Sequence, residues 1–391
     1  MQKKDSSIMN SLFEFDNYAC ECVVDVENIS PFKEPKRTLK FISSSANQLH
    51  YCYVPREGLS LSGVSGGNVD SGILGRLLAI PDYDVDSHIS FFKTYGFLVP
   101  IDDSEYESID AKELIGIVNR IRATIGLMNS ITKRNYRSML RDATYLLYAP
   151  VITVELSKHT ITTCKHRFSE LISNHPFFPD ISRDAEVVAK GTYSVPDTIC
   201  KKNRIDYDFF NAVRQGHKTS LIGSENQAFR NLVAAYVGCH NEPSDVRKLL
   251  DFYYHFQTKV AIFKEIKYKN LETYTSIENS DFTDEIKENL LDVARIVVSE
   301  EINHNISKIH PVYDKNSLIP SWQIATFLQA LYFSIFYMKA GAEIYKECEN
   351  PNCTREKYFL VETTRSNKKY CCPQCANAAA AQRHRNRKLI N

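Results

Sequence analysis

The chain has no apolar run that reads as a membrane span. The nearest candidate, Trp322 to Ala340, is interrupted by Gln323, Gln329, Ser334 and Lys339 and is expected to be a buried helix. No membrane is therefore expected among its partners. Excess charge is lacking as well: 48 Lys and Arg stand against 47 Asp and Glu, for a net +1. No apolar leader opens the chain, which predicts a cytoplasmic protein whose thiols stay reduced. Catalytic motifs are also missing. The glycine-rich stretch Leu59 to Gly67 lacks the Gly-Lys-Ser/Thr ending of a phosphate loop, and Arg214 to Thr219 lacks the glycine that should precede its lysine. Glu300-Glu301-x2-His304, with His310 beyond it, has no His-x3-His pair and reads as a solvated helix end. Cys164-Lys165-His166 and Cys239-His240 set a thiol beside an imidazole only along the chain, and sequence neighbours rarely meet as nucleophile and base. Buried thiols are the expectation there, and no enzyme.

Cysteine, by contrast, is concentrated. Five of the eleven lie in the last 44 residues, as Cys348-x4-Cys353, seventeen intervening residues, then Cys371-Cys372-x2-Cys375. Two short-spaced pairs separated by a loop suit a tetrahedral ion, because each pair wraps one edge while the loop folds back. Cys371 and Cys372 are adjacent, and neighbouring side chains diverge, so one of them is spare. A four-thiolate set leaves no open position for water, so the implied role is structural. A segment this short has too little apolar surface to fold alone, whereas bound zinc supplies roughly 10–16 kcal/mol in apparent terms.

Tyr370-Cys371-Cys372-Pro373-Gln374-Cys375 resembles the Tyr-Cys-Ser-x-x-Cys knuckle of treble-clef-like fingers, in which the cysteine after the aromatic binds. That resemblance selects Cys348, Cys353, Cys371 and Cys375 as Zn2+ ligands and leaves Cys372 out. Together with Tyr358-Phe359, Lys368-Lys369 and the Arg383, Arg385, Arg387 series, the segment is similar to the CGNR-type zinc fingers of bacterial proteins. The resemblance covers about residues 346–391. It implies a C-terminal finger behind a larger helical domain and a nucleic-acid-binding role in transcriptional regulation. The family's Gly and Arg after the last cysteine are Ala376 and Ala378 here, with only Asn377 retained. MYND-type fingers, which bind peptides, share the same knuckle.

The charge distribution points toward nucleic acid. Residues 348–391 carry nine Lys or Arg against three Glu, a net +6, which leaves 39 basic against 44 acidic residues, a net −5, for residues 1–347. A neutral chain with a basic end is the electrostatic layout of a nucleic-acid-binding module on a body. Ala378 to Ala381 favour a helix starting near Pro373, along which Arg383, Arg387 and Lys388 fall close to one face and Arg385 swings away. Lys368, Lys369, Arg383, Arg385, Arg387 and Lys388 are the candidate phosphate contacts.

The rest of the chain is globular in composition, 43% hydrophobic and 24% charged. Cys20 to Val26, His50 to Val54 and Tyr95 to Pro100 are expected strands. Asp110-Ala111-Lys112-Glu113 is shaped like a helix-capping box, followed at helical spacing by Leu114, Ile117, Ile121, Ile125 and Met128. Further helices are expected through Phe229, Leu232, Val233 and Tyr236; through Val246, Leu249, Leu250, Tyr253 and Val260; through Ile286, Leu290, Val293 and Val297; and through Ile324, Leu328, Leu331, Ile335 and Met338. The last ends so close to Cys348 that the finger should dock on the body. The clustered Tyr and Phe residues are expected in the core. These signals predict a mainly α protein: a mixed α/β N-terminal region at 1–105, a helical body at 106–345 and a four-cysteine zinc finger with a basic helix at 346–391. The expected function is a zinc-binding, nucleic-acid-binding transcriptional regulator with DNA or RNA as partner and a body that senses a ligand or forms a homodimer. The alternative is a protein-interaction protein whose finger is a structural module.

Overall fold

The structure, a computed structural model, describes residues 13–27, 35–54, 58–62, 68–70, 72–174, 227–313, 320–338, 342–353, 357–365 and 367–390. Strands β1 (Phe13–Glu27), β2 (Lys36–Val54), β3 (Gly58–Ser62) and β4 (Asn68–Asp70) come first, then helices α1 (Ile73–Ala79) and α2 (Val85–Tyr95). They are followed by β5 (Glu107–Asp110), α3 (Ala111–Lys133), α4 (Tyr136–Tyr148), β6 (Thr153–Glu155), β7 (Thr160–Thr162) and α5 (Arg167–Asn174). After these come α6 (Gln227–Gly238), α7 (Ser244–Lys259), β8 (Phe263–Lys267), β9 (Asn270–Thr273) and α8 (Asp284–Ile306). The chain ends with β10 (His310–Tyr313), β11 (Pro320–Gln323), α9 (Phe327–Phe336), β12 (Glu343–Glu347), β13 (Tyr358–Glu362) and α10 (Pro373–Ile390).

These elements form two units that interleave along the chain. Met1–Thr132, Ile152–Thr163 and Ile302–Asn391 make the first; Lys133–Val151 and Cys164–Glu301 make the second.

An antiparallel sheet in the order β1-β2-β3-β4, with β5 also paired to β2, organises the first unit. The first half of β1 alternates, burying Phe13, Phe15 and Asn17 and exposing Glu14 and Asp16, as a strand with one covered face must. The aromatic face of the sheet packs on α9: Phe13 of β1 meets Phe333 at 5.1 Å and Tyr51 of β2 meets Phe327 at 5.3 Å between ring centroids. The Tyr51 hydroxyl donates to the Tyr95 carbonyl at the end of α2, and the Cys20 thiol donates to Phe92 O at 2.9 Å. Helix α3 starts where its sequence says, with the Lys112 N–H donating to Asp110 Oδ1 at 2.7 Å, and it buries Leu114, Ile117, Ile121, Ile125 and Met128.

In the second unit α6 buries Phe229, Leu232, Val233 and Tyr236, and α7 buries Val246, Leu249, Leu250 and Tyr253. The aromatics from Phe252 to Phe256 are core, as expected, whereas Phe336, also expected there, is 49% exposed. Tyr236 stacks on Tyr254 at 4.1 Å with the planes 6° apart, and Tyr253 and Phe263 both pack edge-on to Tyr148. Among the described residues no helix is long and apolar enough to cross a membrane.

The mainly α expectation fails. Among the described residues 49% are helical and 27% are in strands, spread over several small antiparallel sheets. The shortfall has a physical cause. Strand β2 runs through Ser43-Ser44-Ser45-Ala46-Asn47-Gln48, a polar stretch that buries no side chain and over which the register with β1 shifts, from Gln48 opposite Tyr18 to Ser43 opposite Cys20. Beyond Cys22 the paired residues of β1 are exposed on both faces, Val23 at 47% and Val26 at 56%. Hairpins β6–β7, β8–β9 and β10–β11 interrupt residues 106–345, expected to be a helical body. Trp322 lies in β11, so the Trp322 to Ala340 stretch is not one helix. The third expected strand is also absent: Tyr95 ends α2, and Gly96 turns the chain with φ 75°. Within the glycine-rich stretch Leu59 to Ser62 belong to β3, while residues 63–67, like Arg214 to Thr219, lie outside the described residues.

Candidate metal centre

The C-terminal segment folds around its sulfurs. Strands β12 and β13 pair from Glu343 opposite Glu362 to Glu347 opposite Tyr358, burying Ile344, Phe359 and Val361. The strand period of two brings these three to one side, against Cys348 and Cys375. Cys348 directly follows β12, and its N–H donates to Lys357 O at 2.6 Å. A tight turn follows, in which the Cys353 N–H donates to Asn350 O at 3.0 Å and the Asn352 N–H to Asn350 Oδ1 at 3.3 Å. The Glu349 N–H donates to Lys369 O at 2.9 Å and ties the first cysteine pair to the approach to the second. Pro373 then opens α10, where a missing N–H costs nothing and the fixed φ suits a helix.

This brings four thiols together. One ligand atom each from Cys348, Cys353, Cys371 and Cys375 lies within 4.8 Å of the other three, a group able to hold a metal ion. The sulfur separations are 3.7 Å for Cys353 to Cys371, 3.5 Å for Cys371 to Cys375 and 3.6 Å for Cys375 to Cys353. Four sulfurs at about 2.3 Å from a tetrahedral ion stand about 3.8 Å apart, so the cage has the right edge length. Cys348 and Cys375 are buried and the other two half-buried. Burial first, then the neighbouring sulfurs, push the Cys371 thiol well above the ordinary thiol range. Four thiolates this close repel one another, and a cation is what lets them all ionise.

Cys372 stands outside the group, although its sulfur is 3.7 Å from that of Cys371. It occupies the residue before α10 instead. The Cys375 backbone N–H above all, with that of Gln374 and the sulfurs of Cys371 and Cys375, holds its thiol below the ordinary range.

The expected phosphate contacts divide in two. The Lys368 ammonium sits 5.0 Å from the centroid of the Phe359 ring, and that of Lys369 is 3.3 Å from Glu349 Oε2. Both already have partners within the finger. Arg383 and Arg385 are exposed on α10, as is His384, and among the described residues neither arginine makes an ion pair. Arg387 and Lys388 lie on the last turns of the same helix, and their side chains are outside the described residues.

The finger is fastened to the rest of its own unit, as the short connection to Cys348 predicted. Asn129 of α3 bridges the middle of β12 in both directions: its Nδ2 donates to Tyr345 O at 3.2 Å, and the Tyr345 N–H donates to its Oδ1 at 3.1 Å. On α1, Gly75 lies so close to β13 that a Cβ there would come within 2.0 Å of the Tyr358 carbonyl oxygen. Helix α1 is itself held at its C-terminal end by Arg122, whose guanidinium donates to Leu77 O at 2.9 Å and to Ile80 O at 2.6 Å.

A second group of ligating side chains, Cys164, His166 and Glu301, reads as unremarkable along the sequence and is brought together by folding. No local spacing signals it, because His166 and Glu301 are 135 residues apart. No family model, no curated protein and no solved structure matches this chain.

Proposed function

We propose that the chain is a nucleic-acid-binding protein whose C-terminal finger is organised by Zn2+ on Cys348, Cys353, Cys371 and Cys375, and that it acts as a transcriptional regulator. Zinc fits the donors: four thiols at tetrahedral spacing are the donor set of structural zinc sites and leave no position for water or substrate. The metal folds and positions the finger and takes no part in chemistry.

The observation that carries the nucleic-acid reading is the composition of α10. The helix holds Arg383, His384, Arg385, Arg387 and Lys388 and not one Asp or Glu, with Arg383 and Arg385 exposed. At 100° per residue Arg383 and Arg385, both exposed, point to nearly opposite sides of the helix. Positive charge thus stands on two sides of the helix. That arrangement suits phosphates on both walls of a groove and gives salt-sensitive affinity with little sequence preference. The resemblance to CGNR-type fingers supports the same reading, with Asn377 retained and exposed near the start of α10.

Fluorescence anisotropy with labelled random duplex and single-stranded DNA tests it. The full chain should bind at low salt and release the probe when a chelator removes the metal. Absence of binding at low salt by the metal-loaded chain would overturn the reading. It would favour the alternative, in which the Asn129 bridge and the close approach at Gly75 mark the finger as a structural module packed on its own unit.

A further inference from the structure

The second unit holds another convergence of metal-ligating groups. Cys164, His166 and Glu301 are all buried, and one ligand atom of each lies within 4.8 Å of the other two. His166 leads into α5, and Glu301 lies on α8, facing it. His166 Nε2 is 2.9 Å from Glu301 Oε1, and its Nδ1 is 2.5 Å from Glu300 Oε2. The Cys164 thiol also reaches Glu300, with its sulfur 3.6 Å from the backbone oxygen. The two carboxylates differ in kind, since the Glu301 side chain is 0% exposed and that of Glu300 is 32% exposed.

We infer that Cys164, His166 and Glu301 form a second metal site, for a divalent ion of the zinc class, with Glu300 holding the imidazole from behind. The roles follow from the two ring nitrogens. Nδ1–H donates to Glu300, which fixes the tautomer and frees the Nε2 lone pair for the metal, the carboxylate-histidine-metal arrangement that recurs in protein zinc sites. Bonds of about 2.0–2.1 Å to nitrogen and oxygen put tetrahedral ligands about 3.3 Å apart, so the 2.9 Å between Nε2 and Oε1 needs to open by only a few tenths of an ångström.

Charge is compatible with an ion here: thiolate −1, Glu301 −1, neutral imidazole and a divalent metal +2 sum to zero. Glu300 then keeps its own charge where it is partly solvated. Three protein ligands leave one tetrahedral position for water, which distinguishes this site from the closed four-sulfur cage. The second site stands whether or not α10 binds nucleic acid.

Metal content of the full chain, purified with zinc present, is the test. Two equivalents are expected. Cys371→Ser with Cys375→Ser should lower the count to one, and adding His166→Gln should lower it to none. X-ray absorption of the wild type should show nitrogen or oxygen neighbours at about 2.0–2.1 Å beside the sulfurs at about 2.3 Å. A wild-type count of one with a pure sulfur shell would overturn the inference. So would a second equivalent that survives both His166→Gln and Cys164→Ser. If His166→Gln fails to fold, the wild-type count and its neighbour shell still decide.

Discussion

The α-carbon of Gly75 faces the carbonyl of Tyr358 so closely that a methyl group built on it would stand 2.0 Å from that oxygen. A backbone atom cannot swing aside as a side chain can. Gly75→Ala should therefore pry β13 away from α1, at a cost on the order of 1–3 kcal/mol. Hydrogen exchange should show faster exchange in β12 and β13, with metal still bound. Protection equal to the wild type would mean that the close approach does not fasten the finger.

Asn129 makes the complementary attachment, through both its amide groups and the backbone of Tyr345. Asn129→Leu removes the two bonds and leaves a strand N–H and carbonyl without those partners, a loss of about 1–3 kcal/mol. Combined with Gly75→Ala, it should free the finger to proteases that cut between α9 and β12. Measured cleavage rates check this, and additive small effects without new cleavage would count against a docked finger.

The cysteines separate by role. Cys371→Ser should lose the metal and with it the folded finger, whereas Cys372→Ser should keep both, because only Cys371 belongs to the four-sulfur group. Metal analysis and circular dichroism of the two variants give the answer.

Much of this finger is legible in the sequence because its ligands are local. Cys348 and Cys353, then the Cys371-Cys372-x2-Cys375 run, are each close enough for spacing to mark them, and the resemblance of the knuckle chooses Cys371 over Cys372. The face of α3 is legible for the same reason, since helical periodicity is a property of neighbours. What holds the finger in place is not. Gly75 and Tyr358, or Asn129 and Tyr345, meet only because the chain returns after more than two hundred residues. The same is true of Cys164, His166 and Glu301, which along the chain read only as a buried thiol and a solvated helix end. The middle of β2 escapes for another reason: Ser43 to Gln48 is polar, does not alternate and buries no side chain that would signal a strand.

His88 predicts an acid limit. Its Nδ1–H donates to Asp84 O at 2.7 Å, while Nε2 is buried with no hydrogen-bond partner. Burial, with the nearby Arg122 charge, holds its pKa below the ordinary 6.5. Above pH 6.5 both folded and unfolded chains carry a neutral His88, and it contributes no pH dependence. Below that value the unfolded chain takes a proton that the folded chain refuses, so stability falls as pH falls, by at most about 1.4 kcal/mol per pH unit. Urea unfolding from pH 7 to 5 should be less steep in pH for His88→Gln than for the wild type. Identical slopes would contradict a depressed His88.

The most direct measurement is the salt dependence of duplex DNA binding by the full metal-loaded chain, compared with Arg383→Gln/Arg385→Gln. If the end of α10 meets phosphates, affinity falls and the slope of log K against log salt becomes shallower by about 1.8, at about 0.9 for each phosphate that is no longer neutralised. An unchanged affinity and slope, with the metal still bound, would contradict the account.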